Sequence, residues 1–463
     1  MTKNANGGNR QRELIPCALK TTIPLSEQHP MVVLTDALDW TEMEVRAEQI
    51  RAKKLKNGAG RPPHLRALLG ALTVMTVRRL PYRETEEQIR YYAPARYLCG
   101  LTETEWTPDF TTIQDFSQLL GEEGVKLINE YVVELAVELG LANPNLAVAD
   151  TTAQEAAIPH PTEMGLLASF LQSVVLAART AGKKFKGFLS KVSAKIKEGK
   201  KKVRAHHLFA KTADARRRLL VELTKIVEGL TGQLGKAVQA AGGAGRRLHG
   251  QALVAEQKLS SLYQTMMKLL PQIRHWIKTK HVAAGKIINL HIPELYSIVR
   301  GKIGKGVEFG LSWGITRLQG GFILATLGTQ RSDVQDTKFA VRAVEDLAAL
   351  FGKVPKSYAY DRGGHSEENI KRLRQLGVRN VGLAPRGRAE WQVDGKIRDK
   401  LIRERAQVEG SIGTIKGQKY GFNRPAARSA AMMGTCGQRA VLGANLAKLV
   451  RGLARSTGTT AAR

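Results

Sequence analysis

Three acidic residues far apart in the chain have the type and local setting of ligands for a divalent cation. Asp150 ends the apolar run NLAVAD, Asp361 ends KSYAYD, and Glu409 lies in LIRERAQVEGSIGTIKGQKYG. Hard cations such as Mg²⁺ prefer carboxylate oxygens, and two such cations about 3.5–4 Å apart activate water and stabilise the leaving oxygen when a phosphodiester is cut. We therefore expect Asp150, Asp361 and Glu409 to converge on two Mg²⁺ ions, for which Mn²⁺ would substitute.

Each acid also has an ordinary structural explanation. An acid at a strand end is often a turn residue or a helix cap, and Glu409 four residues after Arg405 matches a solvated helix ion pair. At about 100° per residue, however, one narrow helical stripe carries Arg405, Glu409, Ile412 and Lys416. A carboxylate between two cations suits metal binding beside DNA phosphates. Arg362, directly after the second acid, is a further candidate for binding phosphate.

The elements that must position these acids alternate between strands and helices. The second half of the chain has helical patterns at about 335–351, at 366–377 and from about 399. Gly320–Gly321 marks a hairpin turn, and strands are predicted at 145–150, 307–318, 320–328, 356–361 and 380–385. This order predicts an α/β fold with a mixed sheet flanked by helices, in which Asp150 and Asp361 each end a strand.

Two helical regions accompany this sheet. Leucines at helical spacing from Leu65 predict an N-terminal all-helical domain, and Thr111 with Gln114 forms a capping-box pattern. This domain is a candidate DNA reader, with Gln114 as a possible contact, or else a packing or dimerisation domain. A long basic helical insertion follows the first strand and either grips DNA, mediates dimerisation or is a solvated spacer. The predicted order is a disordered basic tail (1–35), the helical domain (36–142), the catalytic domain (143–455) with the insertion at about 165–292, and a disordered tail (456–463).

Composition favours a polyanionic partner. The 463 residues include 72 Lys plus Arg against 41 Asp plus Glu, for a formal charge of +31. Such an excess repels itself within a compact protein, so nucleic acid is a simpler reason for it than solubility or ribosome association. The three cysteines form no metal motif and suit a reducing cytosol. The sequence predicts neither a signal peptide nor a membrane span.

The acids and their surroundings resemble a known family. The order Asp150, Asp361, Glu409 is similar to the DDE triad of bacterial insertion-sequence transposases, which have an RNase H-like catalytic core. The segment VADTTAQEAAIPHPTE (148–163) resembles the family's first-acid region, and YAYDRGGHSEENI (358–370) resembles the second.

The third acid lies in the most specific match. The family signature there is Tyr-x2-Arg-x3-Glu-x6-Lys, which Arg405, Glu409 and Lys416 fit, whereas Ile402 stands in place of the tyrosine. Nearer the N-terminus, GRPPHLRALLGALTV, RETEEQIR and PDFTTIQDF resemble the DNA-binding helical domain of the family. The likeness covers about 60–450, except the insertion at roughly 183–290.

The resemblance implies metal-dependent cleavage of DNA and then strand transfer by a freed 3′-hydroxyl. The implied partners are double-stranded DNA, as terminal inverted repeats and target DNA, and a second copy of the chain in a homodimer on DNA. Lys302 and Lys305 would add to the phosphate-binding surface, or form a solvated basic loop. The implied location is the bacterial cytoplasm, at the nucleoid. Two alternatives remain: a structure-selective nuclease of the same fold, and a catalytically silent DNA-binding derivative.

Overall fold

The computed structural model describes residues 25–55, 63–101, 106–243, 250–302, 305–328, 333–385, 390–391 and 393–460, without the side chains of 242–243, 300–302, 305 and 456–460. The helices are α1 (Pro30–Ala37), α2 (Trp40–Lys54), α3 (Leu65–Arg78), α4 (Tyr82–Tyr91), α5 (Ala93–Leu98), α6 (Phe110–Glu138), α7 (Glu163–Thr180), α8 (Lys183–Leu208), α9 (Ala213–Gly243), α10 (Gly250–Thr279), α11 (Asp336–Phe351), α12 (Glu367–Gln375), α13 (Gly395–Lys416) and α14 (Ala430–Thr460). The strands are β1 (Asn143–Glu155), β2 (Tyr296–Lys302), β3 (Lys305–Gln319), β4 (Ile323–Leu327), β5 (Ser357–Tyr360) and β6 (Asn380–Leu383).

Within the described residues, six strands form one mixed sheet in the order β2-β3-β1-β5-β6, and β4 also pairs with β3. The long strand β3 pairs antiparallel with β1, and its other edge pairs with β2 near its start and with β4 near its end. β1 pairs in parallel with β5, which pairs in parallel with β6. The predicted α/β class is confirmed, and β1 lies at the centre of the sheet.

Successive residues of β1 face different cores because side chains alternate along a strand. Leu146 and Val148 pack with the helix α13, through residues such as Val408. Ala147 and Ala149 instead share a core with α11 and the N-terminal helices. The sheet is therefore covered by helices on both faces, as an apolar central strand requires.

The N-terminal helices share one core with α11, α14 and a face of the sheet. Their first helix begins at Pro30 and buries Met31 and Leu34. The boundary expected at residue 36 therefore falls within α1.

A buried polar network joins the helical region to the edge of the sheet. Asn445 of α14 accepts from the amide of Ile323 at 3.0 Å and donates to its carbonyl at 2.7 Å. The same side chain donates to Asn129 of α6 at 2.8 Å, and Gln438 donates to the carbonyl of Ala325 at 3.0 Å. These side chains satisfy backbone groups of β4 that no neighbouring strand would otherwise pair.

The insertion between β1 and β2 forms a helical bundle of α7, α8, α9 and α10 around its own apolar core. Helices do not extend to the predicted boundary near 290, because α10 ends at Thr279. No helix among the described residues is long and apolar enough to cross a membrane.

Two local predictions were wrong, and one strand was not predicted. β1 does not end at Asp150, because residues 151–155 continue its ladder with β3 as far as Gly310. β2 was not predicted, since YSIVRGK shows neither clear alternation nor an apolar run. Asp109, rather than Thr111, caps α6 by accepting from the amides of Thr111 and Thr112.

The Asn445 network gives a stability prediction. Asn445→Ala leaves the buried amide of Ile323 without its side-chain partner, and leaves the carbonyl only the 3.2 Å bond from Asn129. We therefore expect it to destabilise the fold by about 1–3 kcal/mol. Asn143→Ala is the control, since Asn143 is exposed and its side chain accepts only from the nearby amide of Asn145. Urea unfolding followed by circular dichroism would measure both changes. Equal unfolding midpoints for Asn445→Ala and wild type would contradict the role of the network.

Candidate metal centre

Parallel pairing of β1 with β5 brings two of the predicted acids together. Val148 of β1 is in register with Ala359 of β5. Asp150 follows Val148 by two residues, and Asp361 follows Ala359 by two residues. Both acids share the face of Val148, toward α13, because the side-chain period of extended backbone is two. The local geometry therefore follows from strand register and not from a loop.

A third acid, Asp336, completes a cluster that the sequence analysis did not identify. Asp150, Asp336 and Asp361 each offer a carboxylate oxygen within 4.8 Å of the other two, and all three are half-buried. Carboxylates that close repel one another unless a proton or a cation lies between them. The donor set fits a hard divalent cation, which binds through oxygen ligands.

Backbone amides orient the two strand acids. Asp150 Oδ1 accepts from the amide of Thr151 at 2.7 Å, and Asp361 Oδ1 accepts from the amide of Gly363 at 2.7 Å. Asp361 thereby caps the 3-10 turn Arg362–Gly364. Each of these bonds engages one carboxylate oxygen of its aspartate.

Asp336 reaches the cluster from the first turn of α11, on the other face of the sheet. Its Oδ1 accepts from the Thr151 hydroxyl at 2.6 Å and from the Tyr360 hydroxyl at 3.2 Å. Its carboxylate also lies against Gly363, where an added Cβ would come within 2.5 Å of Oδ2. Close packing against a glycine therefore lets the α11 acid approach the other two.

The electrostatics of the cluster follow from burial and like charge. Burial, and then the negative charge of Asp336, raise the pKa of Asp361, against the lowering effects of the Gly363 amide and Arg405. Burial and the nearby carboxylates raise the pKa of Tyr358 and Tyr360 well above the ordinary value. Tyr360 is therefore protonated at neutral pH and able to donate its hydroxyl proton to an acceptor.

Glu409 does not belong to the acid cluster. It lies on α13 with its side chain 65% exposed, and its carboxylate is 3.8 Å from Arg405. This is the helix ion pair that the spacing allowed as its simplest explanation. Arg405 itself is close enough to Asp361 to lower the pKa of that carboxyl.

A buried ion pair fixes α13 to the sheet. Arg317 of β3 donates to Glu404 and to Gln407, one turn apart on the helix. The side chain of Arg317 is 8% exposed and that of Glu404 is 14% exposed. An ion pair with so little exposure holds the helix in register, because breaking it would leave a buried charge without a partner.

The other predicted phosphate contacts lie at several places. Arg362 begins the 3-10 turn after Asp361, Lys416 ends α13, and Gln114 is half-buried near the start of α6. Lys302 and Lys305 pair across the β2–β3 hairpin, but their side chains lie outside the described residues. The structure therefore places Arg362, of these five, directly beside the acid cluster.

Asp336 was missed because its sequence context carries no strong signal. It begins a helix in VQDTKF, where an acid is commonly a first-turn residue that favours the helix dipole. Its proximity to Asp150 depends on how α11 packs across β1. A search for acids at predicted helix starts next to the sheet would have included it among several others.

Comparison with known proteins gives one match. Residues 19–119 match a family model described as Transposase domain (DUF772), a region that holds α1 to α5 and the start of α6. No curated protein and no solved structure matches the chain. The match supports a transposase family, and with it a DNA-binding and DNA-processing protein. It concerns the helical region and not the acid cluster.

The raised pKa of Asp361 gives a pH-dependent prediction. The folded state favours the protonated carboxyl, so its contribution to stability is present below the ordinary pKa and is lost as pH rises through the raised pKa. Asp361→Asn removes the charge, and in chelator at pH 7 we expect it to raise stability by about 0.5–2 kcal/mol.

The gain should shrink as the pH falls through the raised pKa of Asp361, where the wild-type carboxyl takes up its proton. Thermal unfolding across this pH range measures it, with Asp399→Asn, an exposed residue of α13, as the control. A variant less stable than wild type at pH 7 would show that the hydrogen bonds of the Asp361 carboxylate outweigh its repulsion from the neighbouring acids.

Proposed function

We propose that the protein is a DDE-type transposase that cuts and rejoins DNA at the terminal inverted repeats of an insertion sequence. The observation that carries the proposal is the convergence of Asp150 and Asp361, from adjacent parallel strands, in a chain whose N-terminal region matches a transposase domain. The formal charge of +31 supports a DNA substrate.

The sheet order supports an RNase H-like core. Three antiparallel strands, β4, β3 and β1, are followed by the parallel strands β5 and β6. The acids lie on the central strand and directly after its parallel neighbour, and the helix α13 follows the last strand and packs behind both. This arrangement is the one that the family resemblance implies, with β2 and the helical bundle as additions.

Asp150 and Asp361 would hold Mg²⁺ or Mn²⁺, and Asp336 lies close enough to contribute a further oxygen. When bound, two such ions would activate a water or a 3′-hydroxyl and stabilise the leaving oxygen of a phosphodiester. The other groups of the site position these carboxylates. Backbone amides orient Asp150 and Asp361, and the hydroxyls of Thr151 and Tyr360 orient Asp336.

We assign Glu409 as the third catalytic acid, brought in when DNA engages α13. Its exposed carboxylate is held by a single 3.8 Å ion pair with Arg405, and an exposed pair of this kind is worth about 0.3–0.5 kcal/mol. A DNA phosphate that takes over Arg405 would release Glu409 toward the strand acids at little cost. Arg362 and Lys416 would bind neighbouring phosphates, and a homodimer would hold the two transposon ends.

Cation binding gives the first prediction of this proposal. Mn²⁺ at about 100 times its dissociation constant stabilises a protein that binds it only when folded by about 2.7 kcal/mol. We expect a rise in melting temperature for wild type and none for Asp150→Asn. Asp214→Asn, on the exposed first turn of α9, is the control and should respond as wild type does. The cluster would not be a cation site if Asp150→Asn responded equally.

DNA cleavage gives the second prediction. We expect the cleavage rate to fall at least about a thousandfold in each of the variants Asp150→Asn, Asp361→Asn and Glu409→Gln. Each variant removes a carboxylate charge that no other group in the site replaces. Binding to the same DNA should stay within about twofold of wild type. The assay uses duplexes carrying the ends of the flanking inverted repeats, with Mn²⁺ or Mg²⁺. If Glu409→Gln cuts DNA at the wild-type rate and Asp336→Asn is inactive, the third catalytic acid is Asp336 and not Glu409.

The products separate a transposase from a nuclease. A transposase joins the freed 3′-end to a target duplex, so a labelled donor end should appear in larger molecules. Hydrolysis without any joined product, on ends that the protein binds and cuts, would favour the nuclease of the same fold.

A further inference from the structure

The positive charge of the helical insertion is concentrated on one helix. α8 carries nine lysines and one arginine against a single acid, Glu198. By contrast, α9 carries five lysines and arginines against three acids, and α10 carries four against one. A charge that served only solubility would have no reason to collect on one member of the bundle.

Within α8, five of the eight exposed cations share one side. Phe185, Phe188, Val192, Ile196 and Gly199 form the buried side, and Gly199 fits so closely that an added Cβ would lie 2.8 Å from Leu171 of α7. At about 100° per residue, a 60° arc roughly opposite that side carries Lys183, Lys186, Lys197, Lys201 and Arg204, which we name the basic stripe. All five are exposed.

Carboxylates of the chain do not neutralise the basic stripe. Two other α8 lysines, Lys184 and Lys202, pair with Glu256 and Glu222 of the neighbouring helices. No salt bridge in the described part of the chain joins a residue of the basic stripe to an acid. The bundle thus pairs two of the flanking cations, Lys184 and Lys202, internally and presents the stripe to solvent.

The side chains in the middle of the basic stripe are small. Between Lys186 and Lys197 the same side carries Gly187, Ser190 and Ala194. Lys186 and Lys197 are eleven positions apart, which is about 16 Å along the helix axis and slightly more than the width of the major groove of DNA, about 12 Å. A helix with small residues between two groups of cations can lie across a groove and reach the phosphates on both sides.

We propose that the basic stripe of α8 binds the backbone of duplex DNA and makes the insertion a second DNA-binding surface, separate from the acid cluster. The choice of duplex DNA as partner rests on the proposed function. From Lys183 to Arg204 the stripe carries no large apolar side chain with which to enter a lipid surface, and exposed Leu208 lies on the same side one turn further on. The regular cations of the stripe favour phosphates that repeat in space.

The test is the salt dependence of binding to a 40-base-pair duplex of arbitrary sequence, measured in metal-free buffer. Each phosphate contact contributes about 0.9 to the slope of log affinity against log salt. In the variant Lys183→Gln, Lys186→Gln, Lys197→Gln, Lys201→Gln we expect the slope to fall by about 2 to 4. The matched control Lys225→Gln, Lys236→Gln, Lys258→Gln, Lys268→Gln removes the same charge from exposed positions of α9 and α10 and should change the slope by less than about 1.

A second pair of variants leaves every lysine in place. Ser190→Glu with Ala194→Glu puts two acids in the middle of the stripe and should weaken binding at least about tenfold at 150 mM salt, since acids there would face phosphates. Gln257→Glu with Gln264→Glu makes the same charge change on α10 and should weaken it less than about threefold.

Equal effects from the stripe and control variants would overturn the inference, because DNA binding would then depend only on the net charge of the protein. Stronger retention of the wild type by phosphatidylserine vesicles than by the duplex would also overturn it. The absence of divalent cations in the buffer separates this test from catalysis. If the stripe variant binds the duplex as wild type does and Asp150→Asn is inactive in cleavage, the role of the stripe is refuted and the proposed function is kept. If the wild type does not bind the duplex at all, the proposed function is refuted as well.

Discussion

The structure depends on holding three carboxylates closer together than their charges favour. Asp150, Asp336 and Asp361 have oxygens within 4.8 Å of one another, and the raised pKa of Asp361 reflects burial and that repulsion. The register of β1 with β5 fixes two of them, and the packing of α11 against the sheet brings the third. Such an arrangement costs stability unless it binds something positive, which is why the surrounding sheet, ion pair and polar network are needed to maintain it.

The elements around the cluster have different structural roles. α13 is fixed to β3 by Arg317 and brings Arg405 close to Asp361, whereas Glu409 of the same helix lies outside the cluster. α14 joins the helical N-terminal region to β4 through Asn445, so the region that matches a transposase domain is continuous with the sheet that carries the acids. The helical bundle has its own core and its own positive surface. DNA held by that surface and by the N-terminal helices would be presented to one rigid site.

Much of the fold could be predicted from the sequence, because its signals are local. Short patterns predict the hairpin at Gly320–Gly321, the strands at 356–361 and 380–385 and the helix at 366–377, and the structure confirms these elements. The continuation of β1 beyond Asp150 could not be predicted, since the polar residues 151–155 are stabilised by partners such as Trp313 that lie far away in sequence. For the same reason Asp336 was missed. Its role depends on contact with Thr151, 185 residues earlier in the chain, which no local pattern encodes.

The most direct measurement of the central claim is crystallographic. A crystal of the protein soaked in Mn²⁺, with data collected where manganese scatters anomalously, would show where the cation binds. We predict an anomalous peak bridging Asp150 and Asp361, about 2.1 Å from a carboxylate oxygen of each, and a second peak within about 4 Å of it once DNA is bound. Manganese at other sites in a crystal whose Asp150 and Asp361 stay without a peak would contradict the account.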